Sequence, residues 1–366
     1  MAPRILIVGG TGQIGQAVVR DLHVHTAAAL VLGSRNRARG EEVAATFGAR
    51  GEYVAVDLDT ASVDELQILV RGMDLVMQCV GPFRERPPTL MEASIRAGVN
   101  YVDVCDDKKA TQQRLALDAM ARAAGVTALI DTGTFPGNDN VLVADALRRR
   151  PQADDVRLHF VCAGSGGGGF GVLQTTFIAV SQPYEQLVDG VWQRTPSYRQ
   201  RQVVDFGPPM GNRPVYNFEV PELWSLAYAF PQLKRCTSQF GSIPEIWNWS
   251  TMALAMSPAR YRSDRVFLDR AAEWSLPKVH RIDQRVGAAL GIRIEVRAPD
   301  GSNEVILFYA PSTVEAVGWA TGIAAAMVLD GEISEAGVLL PETHIPPRLY
   351  AQRLVARGGV IRRRLG

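Results

Sequence analysis

Over the first 130 residues the apolar positions switch between short continuous runs and a spacing of three to four, the signatures of buried strand and amphipathic helix. Runs at 4–8, 30–33, 53–56, 75–80, 101–104 and 126–130 predict strands. Helical spacing through Ala17, Val18 and Leu22, and over 41–47, 63–70, 90–97 and 111–124, predicts helices between them. Six strands alternating with helices predict the α/β class, a doubly wound parallel sheet of Rossmann type. Near Arg150-Pro151 the rhythm breaks. Beyond it, strands at 156–162, 202–206 and 215–219, with a hairpin of 292–297 and 305–309 around Pro299-Asp300-Gly301-Ser302, predict a second, α+β domain of mostly antiparallel sheet. The expected bounds are 1–153, 154–311 and 312–366. The apolar stretch 314–329 carries Glu315 and several small residues, and reads as a buried helix rather than a membrane span. Trp247, Trp249, Met252 and Met256 fall at helical spacing and read as core. The glycine run 164–171 either brings backbone N–H groups against a ligand or forms a flexible loop.

The join between the first strand and the first helix is the most specific local signal. Gly9-Gly10-Thr11-Gly12-Gln13-Ile14-Gly15 follows the apolar run directly. Such a turn lets the main chain approach a pyrophosphate, and the free N–H groups and positive end of the following helix face it. The second strand then ends in Gly33-Ser34-Arg35-Asn36-Arg37, with no acidic residue to accept hydrogen bonds from an adenosine ribose. A hydroxyl followed by a guanidinium fork suits a 2′-phosphate, which favours NADP(H) over NAD. The alternative is that Arg35, Arg37 and Arg39 are a solvated first helical turn.

Composition narrows the partners. The chain has 366 residues, a net charge of +1 and 47% hydrophobic residues, which fits a soluble enzyme of two domains. Balanced charge argues against a nucleic-acid partner, and Arg362-Arg363-Arg364 reads as a solvated tail. Cys79, Cys105, Cys162 and Cys236 form no C-x-x-C pair, so neither a metal site nor a disulfide framework is expected. A cytoplasmic location fits this usage, and the strand at 4–8 leaves no room for a signal peptide before it. The partner expected is a small molecule, with neither nucleic acid nor membrane; pairing of the second-domain sheet edges would give a homodimer.

In a doubly wound sheet, ligands lie at the carboxyl ends of the strands. The residues there are Asp57-Leu58, Cys79-Val80-Gly81-Pro82-Phe83, Asp103 to Asp107, and Asp131 to Gly137. Asp57 is placed at the adenine edge, and the groups after the fifth and sixth strands beside the nicotinamide. Asp103 and Asp106 are the candidate catalytic carboxylates, each with a capping role as its alternative. Arg199, Arg201, Arg213 and Arg235 are candidates by type for a substrate carboxylate, and Glu219 for an amine. No tyrosine is followed by a lysine four residues later, which excludes the Tyr-x-x-x-Lys mechanism of carbonyl reduction.

The chain resembles the saccharopine dehydrogenase-like oxidoreductases over nearly its whole length. The resemblance rests on Gly-Gly-Thr-Gly-Gln-Ile-Gly15, Ser34-Arg35, Cys79-Val-Gly-Pro-Phe83 and Ala97-Gly-Val-Asn-Tyr-Val-Asp-Val104. It rests also on Thr134-Phe-Pro-Gly137 leading into Asn138-Asp-Asn140, and on Gly337-Val-Leu-Leu-Pro-Glu342. It implies a Rossmann domain, an α/β second domain, last helices folding back toward the first, and NAD(P)-dependent chemistry at a C–N bond. It implies cofactor contacts from Gly9, Gly10, Thr11, Gly12, Gln13 and Ile14, from Ser34, Arg35 and Asn36, from Val80, Gly81, Pro82 and Phe83, and from Gly133, Phe135, Pro136 and Gly137. Three readings stay open: an imine reductase or amine dehydrogenase, an NADP-binding sensor or scaffold without turnover, and a C=C (enoyl) or C=O reductase on the same scaffold.

Overall fold

The computed structural model describes residues 2–164, 166–287 and 289–366. In chain order its first elements are β1 (Arg4–Val8), α1 (Gln13–His25), β2 (Ala29–Ser34), α2 (Arg37–Ala45), β3 (Gly51–Ala55), α3 (Val63–Val70), β4 (Leu75–Gln78), α4 (Thr89–Ala97), β5 (Asn100–Asp103), α5 (Lys108–Leu115), α6 (Asp118–Ala124) and β6 (Thr127–Leu129). There follow α7 (Asn138–Arg149), β7 (Asp155–Ala163), α8 (Phe170–Ser181), β8 (Tyr184–Val188), β9 (Val191–Thr195), β10 (Gln202–Asp205), β11 (Asn212–Asn217), α9 (Glu222–Ala229), β12 (Arg235–Ile243), α10 (Ile246–Ala255), α11 (Ala259–Arg262), α12 (Arg265–Val286), β13 (Ala289–Arg297) and β14 (Asn303–Ala310). The last are α13 (Thr313–Leu329), β15 (Gly337–Leu339), α14 (Pro341–His344), α15 (Pro347–Ala356) and β16 (Val360–Leu365). The chain divides into two compact units, 1–138 with 317–346, and 139–316 with 347–366.

The first unit is a parallel sheet in the order β15-β6-β5-β4-β1-β2-β3. The order reverses at β1, which opens a crevice at the carboxyl ends of β1 and β4. Its central strands are buried, β4 from end to end and β1 but for Arg4, as a parallel sheet covered on both faces requires. Local chemistry fixes the helices. Ser62 and Glu65 form a reciprocal capping box at the start of α3, and Gly98 and Gly125 end α4 and α6 in the left-handed conformation. α13 is buried, and it approaches α1 so closely that a Cβ on Gly318 would lie 2.7 Å from the Ala17 Cβ. Among the described residues no helix is long and apolar enough to cross a membrane.

Two expectations for this unit change. The sheet has a seventh strand, β15, parallel to β6 with Val338 opposite Ala128; three residues arriving from some 200 positions downstream leave no periodic signal. The single helix expected over 111–124 is two, because the chain turns at Ala116–Leu117. That turn sets Asp118 at the start of α6, where its Oδ1 accepts the Val338 N–H at 2.9 Å.

The second unit holds the order β10-β11-β12-β7-β13-β14-β16, with β8 and β9 as a hairpin off β12. Among the described residues only β7 and β12 of this sheet run parallel, so the sheet is mostly antiparallel. Arg362-Arg363-Arg364 is not a solvated tail: it lies in β16, paired with β14. Arg363 donates to Glu304 at 2.9 Å, and Arg149 meets the same buried carboxylate at 2.7 Å. Trp249 and Met256 are not core either, being 61% and 54% exposed. Ser165 of the glycine run lies outside the described residues. Around it, Gly164 and Gly166 have positive φ and stand where a Cβ would strike Asp283 and Thr313.

Candidate active site

The glycine turn separates what the protein needs for itself from what it leaves open. Gly9 has φ +88°, and a Cβ there would lie 2.7 Å from Val80 Cγ2 and 2.9 Å from the Cys79 carbonyl carbon. A Cβ on Gly15 would sit 2.0 Å from the Gly9 oxygen, and one on Gly10 3.0 Å from the Ile7 oxygen. Gly12 is different: it is exposed, and a Cβ would meet nothing nearer than 3.4 Å. Packing therefore does not require a glycine at position 12, whereas a phosphate lying against the main chain does. The Gln16 amide holds the turn by donating to the Thr11 carbonyl at 2.8 Å. α1 begins at Gln13 with no side-chain cap and no acidic residue in its first turn, the arrangement that an anion at a helix start requires. These residues fit a dinucleotide pyrophosphate.

At the end of β2 the arginines divide. Asn36 caps α2 by accepting the Arg39 N–H at 3.0 Å, and Arg37 and Arg39 pair along the helix with Glu41 and Glu42. They form the solvated helical turn. Arg35 precedes the helix, keeps 68% of its side chain exposed, and meets Asp59 at 3.2 Å. Arg86 reaches the same carboxylate. Ser34 Oγ donates to the Asn36 carbonyl at 3.3 Å. Asp57 accepts the Asp59 N–H at 3.0 Å in a turn of its own, with Leu58 half-buried beside it. Asp59 and Arg86 were not among the expected site residues; only the strand order, which brings the ends of β2, β3 and β4 to one edge, could have found them.

Asp103 and Asp106 part company at the other end of the crevice. Asp103 is fully buried: Oδ2 accepts from Arg114 Nε at 2.7 Å and from the Tyr101 hydroxyl at 3.1 Å. Its Oδ1 accepts the backbone N–H groups of Cys105 and Asp131 at 3.1 and 3.0 Å. Arg114, itself buried, lies 4.9 Å from the centre of the Phe83 ring. The helix cap considered for Asp106 is instead Asp107, which accepts the Ala110 N–H at 3.0 Å and holds Arg84 at 2.6 Å. Asp106 is thus left half-buried at the strand end. Burial, reinforced by the charges of Asp107 and Asp103, pushes its carboxyl up to about 7, against smaller opposing effects of its own backbone and Arg84.

Around this pair the strand-end loops are tightly built. Cys79 N–H donates to the Val8 carbonyl at 2.8 Å, fixing the start of Val80-Gly81-Pro82-Phe83 beside the glycine turn. Asp131 has φ +60° and accepts from Thr111 Oγ1 at 2.8 Å; burial and the neighbouring Asp103 hold its carboxyl well above the usual range. Gly133 and Gly137 close the loop of Phe135 and Pro136, where a Cβ on Gly137 would lie 2.3 Å from the Gly133 oxygen. Thr134 Oγ1 and both side-chain polar atoms of Asn138 are buried without a hydrogen-bond partner among the described residues.

The second-unit candidates are mostly occupied within their own unit. Arg201 meets Glu245 at 3.1 Å, Arg213 donates to the Met210 carbonyl at 2.6 Å, and Arg235 meets Asp189 at 2.7 Å. Arg199 is exposed and Glu219 half-buried. No cluster of metal-ligating residues occurs among the described residues, and the four cysteines are free thiols, with burial pushing Cys79 up to about 12.

Residues 5–129 match the family model of the saccharopine dehydrogenase NADP binding domain. Saccharopine dehydrogenase (L-Glu forming) from Saccharomyces cerevisiae superposes over 100% of both chains at 16% identity, with a TM-score of 0.69. The chain thus carries a saccharopine dehydrogenase-type NADP binding domain and as a whole shares that enzyme's fold. The match to this NADP-binding domain assigns NADP(H) as its cofactor. Two further solved structures overlap only in part. The 3-hydroxyacyl-CoA dehydrogenase type-2 from Mycobacterium avium is 15% identical over 35% of this chain and 72% of its own, at a TM-score of 0.30. A short-chain dehydrogenase from Streptomyces avermitilis is 14% identical over 36% and 65%, at 0.28.

Proposed function

We propose that this saccharopine dehydrogenase-like protein is an NADP(H)-dependent oxidoreductase acting on a C–N bond. It reduces an imine formed from a keto acid or aldehyde and an amine, or runs the reverse dehydrogenation of a secondary amine or amino acid. The observation that carries the reading is Asp106, a half-buried carboxyl at the end of β5, free of capping duty, with its pKa raised to about 7. When bound, the cofactor supplies or accepts the hydride at carbon. The chain's own part is to bind and to handle the proton. Gln13 and Ile14 hold the pyrophosphate through backbone N–H groups where Gly12 leaves the main chain open to it, and Arg35 with Ser34 holds the 2′-phosphate.

Asp106 gives a proton to the substrate nitrogen in reduction and takes it back in dehydrogenation, a task suited to a carboxyl that titrates near the working pH. Once ionised it also stabilises a cationic nitrogen, which a protonated imine presents and a carbonyl or enoyl group does not. Asp103 and Arg114 serve as positioning residues, since Asp103 grips the backbone of Cys105 and Arg114 stacks on Phe83.

The test follows NADPH oxidation by the full chain against a panel of keto acid plus amine pairs and cyclic imines. Turnover on one such class, reduced about 10²- to 10⁴-fold in Asp106→Asn with NADPH affinity retained, is the expected result. Tight NADPH binding without turnover anywhere on the panel would favour the sensor reading, and turnover on ketones or enoyl chains alone the other reductases.

A further inference from the structure

One layer of the second unit presents apolar side chains where a soluble surface carries charge. α10 and α12 both pack on α8, and polar contacts on their inner sides hold the layer. Arg262 donates to the carbonyls of Ser181 and Ser257 at 3.1 and 2.8 Å, and the Gln174 amide to Asp269 at 2.8 Å. Outward, α10 turns Ile246, Trp249, Ala253 and Met256, positions that fall on one helical face. α12 turns out Val266 and Trp274, the latter 69% exposed. Between them in the chain, the rings of Tyr261 and Phe267 are partly exposed and lie 5.3 Å apart. Isolated exposed apolar residues are ordinary, but two exposed tryptophans with this aliphatic company, on two helices packed on the same α8, are not.

The charge around them is mainly positive, with Asp264 and Glu273 as the exposed acids of the stretch. From 257 to 287 the chain has seven Lys and Arg against four Asp and Glu, an excess of three in a protein whose total is +1. Arg260, Arg270, Arg281 and Arg285 are exposed, and Arg270, Trp274, Lys278 and Arg281 follow one another along α12 at helical spacing. Arginine and lysine stems beside tryptophan are the pattern of a helix lying in a lipid headgroup layer, rings at the apolar boundary and cations reaching the phosphates.

We propose that this face docks on an anionic bilayer surface, with α10 and α12 lying in the headgroup layer rather than spanning it. A second copy of the chain is the poorer occupant. A two-fold contact places the same patch on both sides, and would set the Arg270, Arg281 and Arg285 stripe against its own image.

The experiment is co-sedimentation of the full chain with phosphatidylcholine vesicles, with and without phosphatidylserine, at low and high salt. Binding that needs phosphatidylserine, weakens with salt, and falls at least about tenfold in Trp249→Ser/Trp274→Ser while NADPH binding is retained is the expected result. No binding to anionic vesicles, or a double variant that binds as well as the parent, would overturn the proposal. So would a dimer in sedimentation velocity that the double substitution dissociates while vesicles bind neither protein. If the double variant does not fold, quenching of the parent's tryptophan fluorescence by bromine-labelled lipid decides: quenching supports docking, and its absence refutes it.

Discussion

Arg114→Met isolates the buried pair beneath the candidate active site. Both side chains are fully buried and meet at 2.7 Å. Methionine nearly preserves the volume of the arginine stem but removes the one cation that pairs with the Asp103 carboxylate among the described residues. Three donors remain to it, from Tyr101, Cys105 and Asp131, so hydrogen bonding is mostly kept while charge compensation is lost. Breaking a buried pair from one side costs about 3–5 kcal/mol, and the surviving hydrogen bonds put the expected loss near the lower end, about 3 kcal/mol. Asp103→Asn/Arg114→Met should recover part of the loss, because the charge left unpaired is gone. Urea unfolding of the parent and the two variants reads both effects. A loss under about 1 kcal/mol for Arg114→Met, or a double variant that recovers nothing, would refute the claim that the pair is a coupled, desolvated unit.

Other outcomes follow from the crevice. Gly12→Ala should fold normally and lose about tenfold or more in NADPH affinity by titration calorimetry, whereas Gly15→Ala, whose Cβ would lie 2.0 Å from the Gly9 oxygen, should be destabilised in thermal unfolding. Arg35→Ala should weaken NADPH binding by one to two orders of magnitude and leave NADH binding nearly unchanged; equal losses for both would remove the 2′-phosphate role. Because folding raises the Asp106 pKa to about 7, the folded state binds the extra proton, and its stability contribution is lost as pH climbs from about 4 to 7. Asp106→Asn should flatten the stability profile over that window, read by thermal unfolding.

The sequence made the first unit legible because its signals are local. The apolar run of β1, the glycine turn and the capping residues of α3 each act within a few positions, and the strand-helix alternation does the rest. β15 was missed because its pairing with β6 is long-range. The tail arginines were misread because Glu304, their partner, is distant in sequence. At the site, the cofactor turn was readable from glycines, but only the structure shows which glycine is open to a ligand. The two aspartates looked alike in sequence. Burial among Arg114, Tyr101 and two backbone N–H groups removes Asp103 from solvent, and Asp107 takes over the cap, so the difference between Asp103 and Asp106 lies wholly in tertiary surroundings. Trp249 misled for a related reason, since helical spacing says that a face exists without saying which way it points.

The central claim, that Asp106 carries the proton for an NADP(H)-dependent reaction at a C–N bond, is tested most directly by the pH dependence of imine reduction in the parent and in Asp106→Asn. The account predicts that the parent's rate falls as pH rises through about 7, and that the variant is slower by orders of magnitude and lacks that limb. An Asp106→Asn protein that keeps the parent's rate and the same falling limb would contradict it.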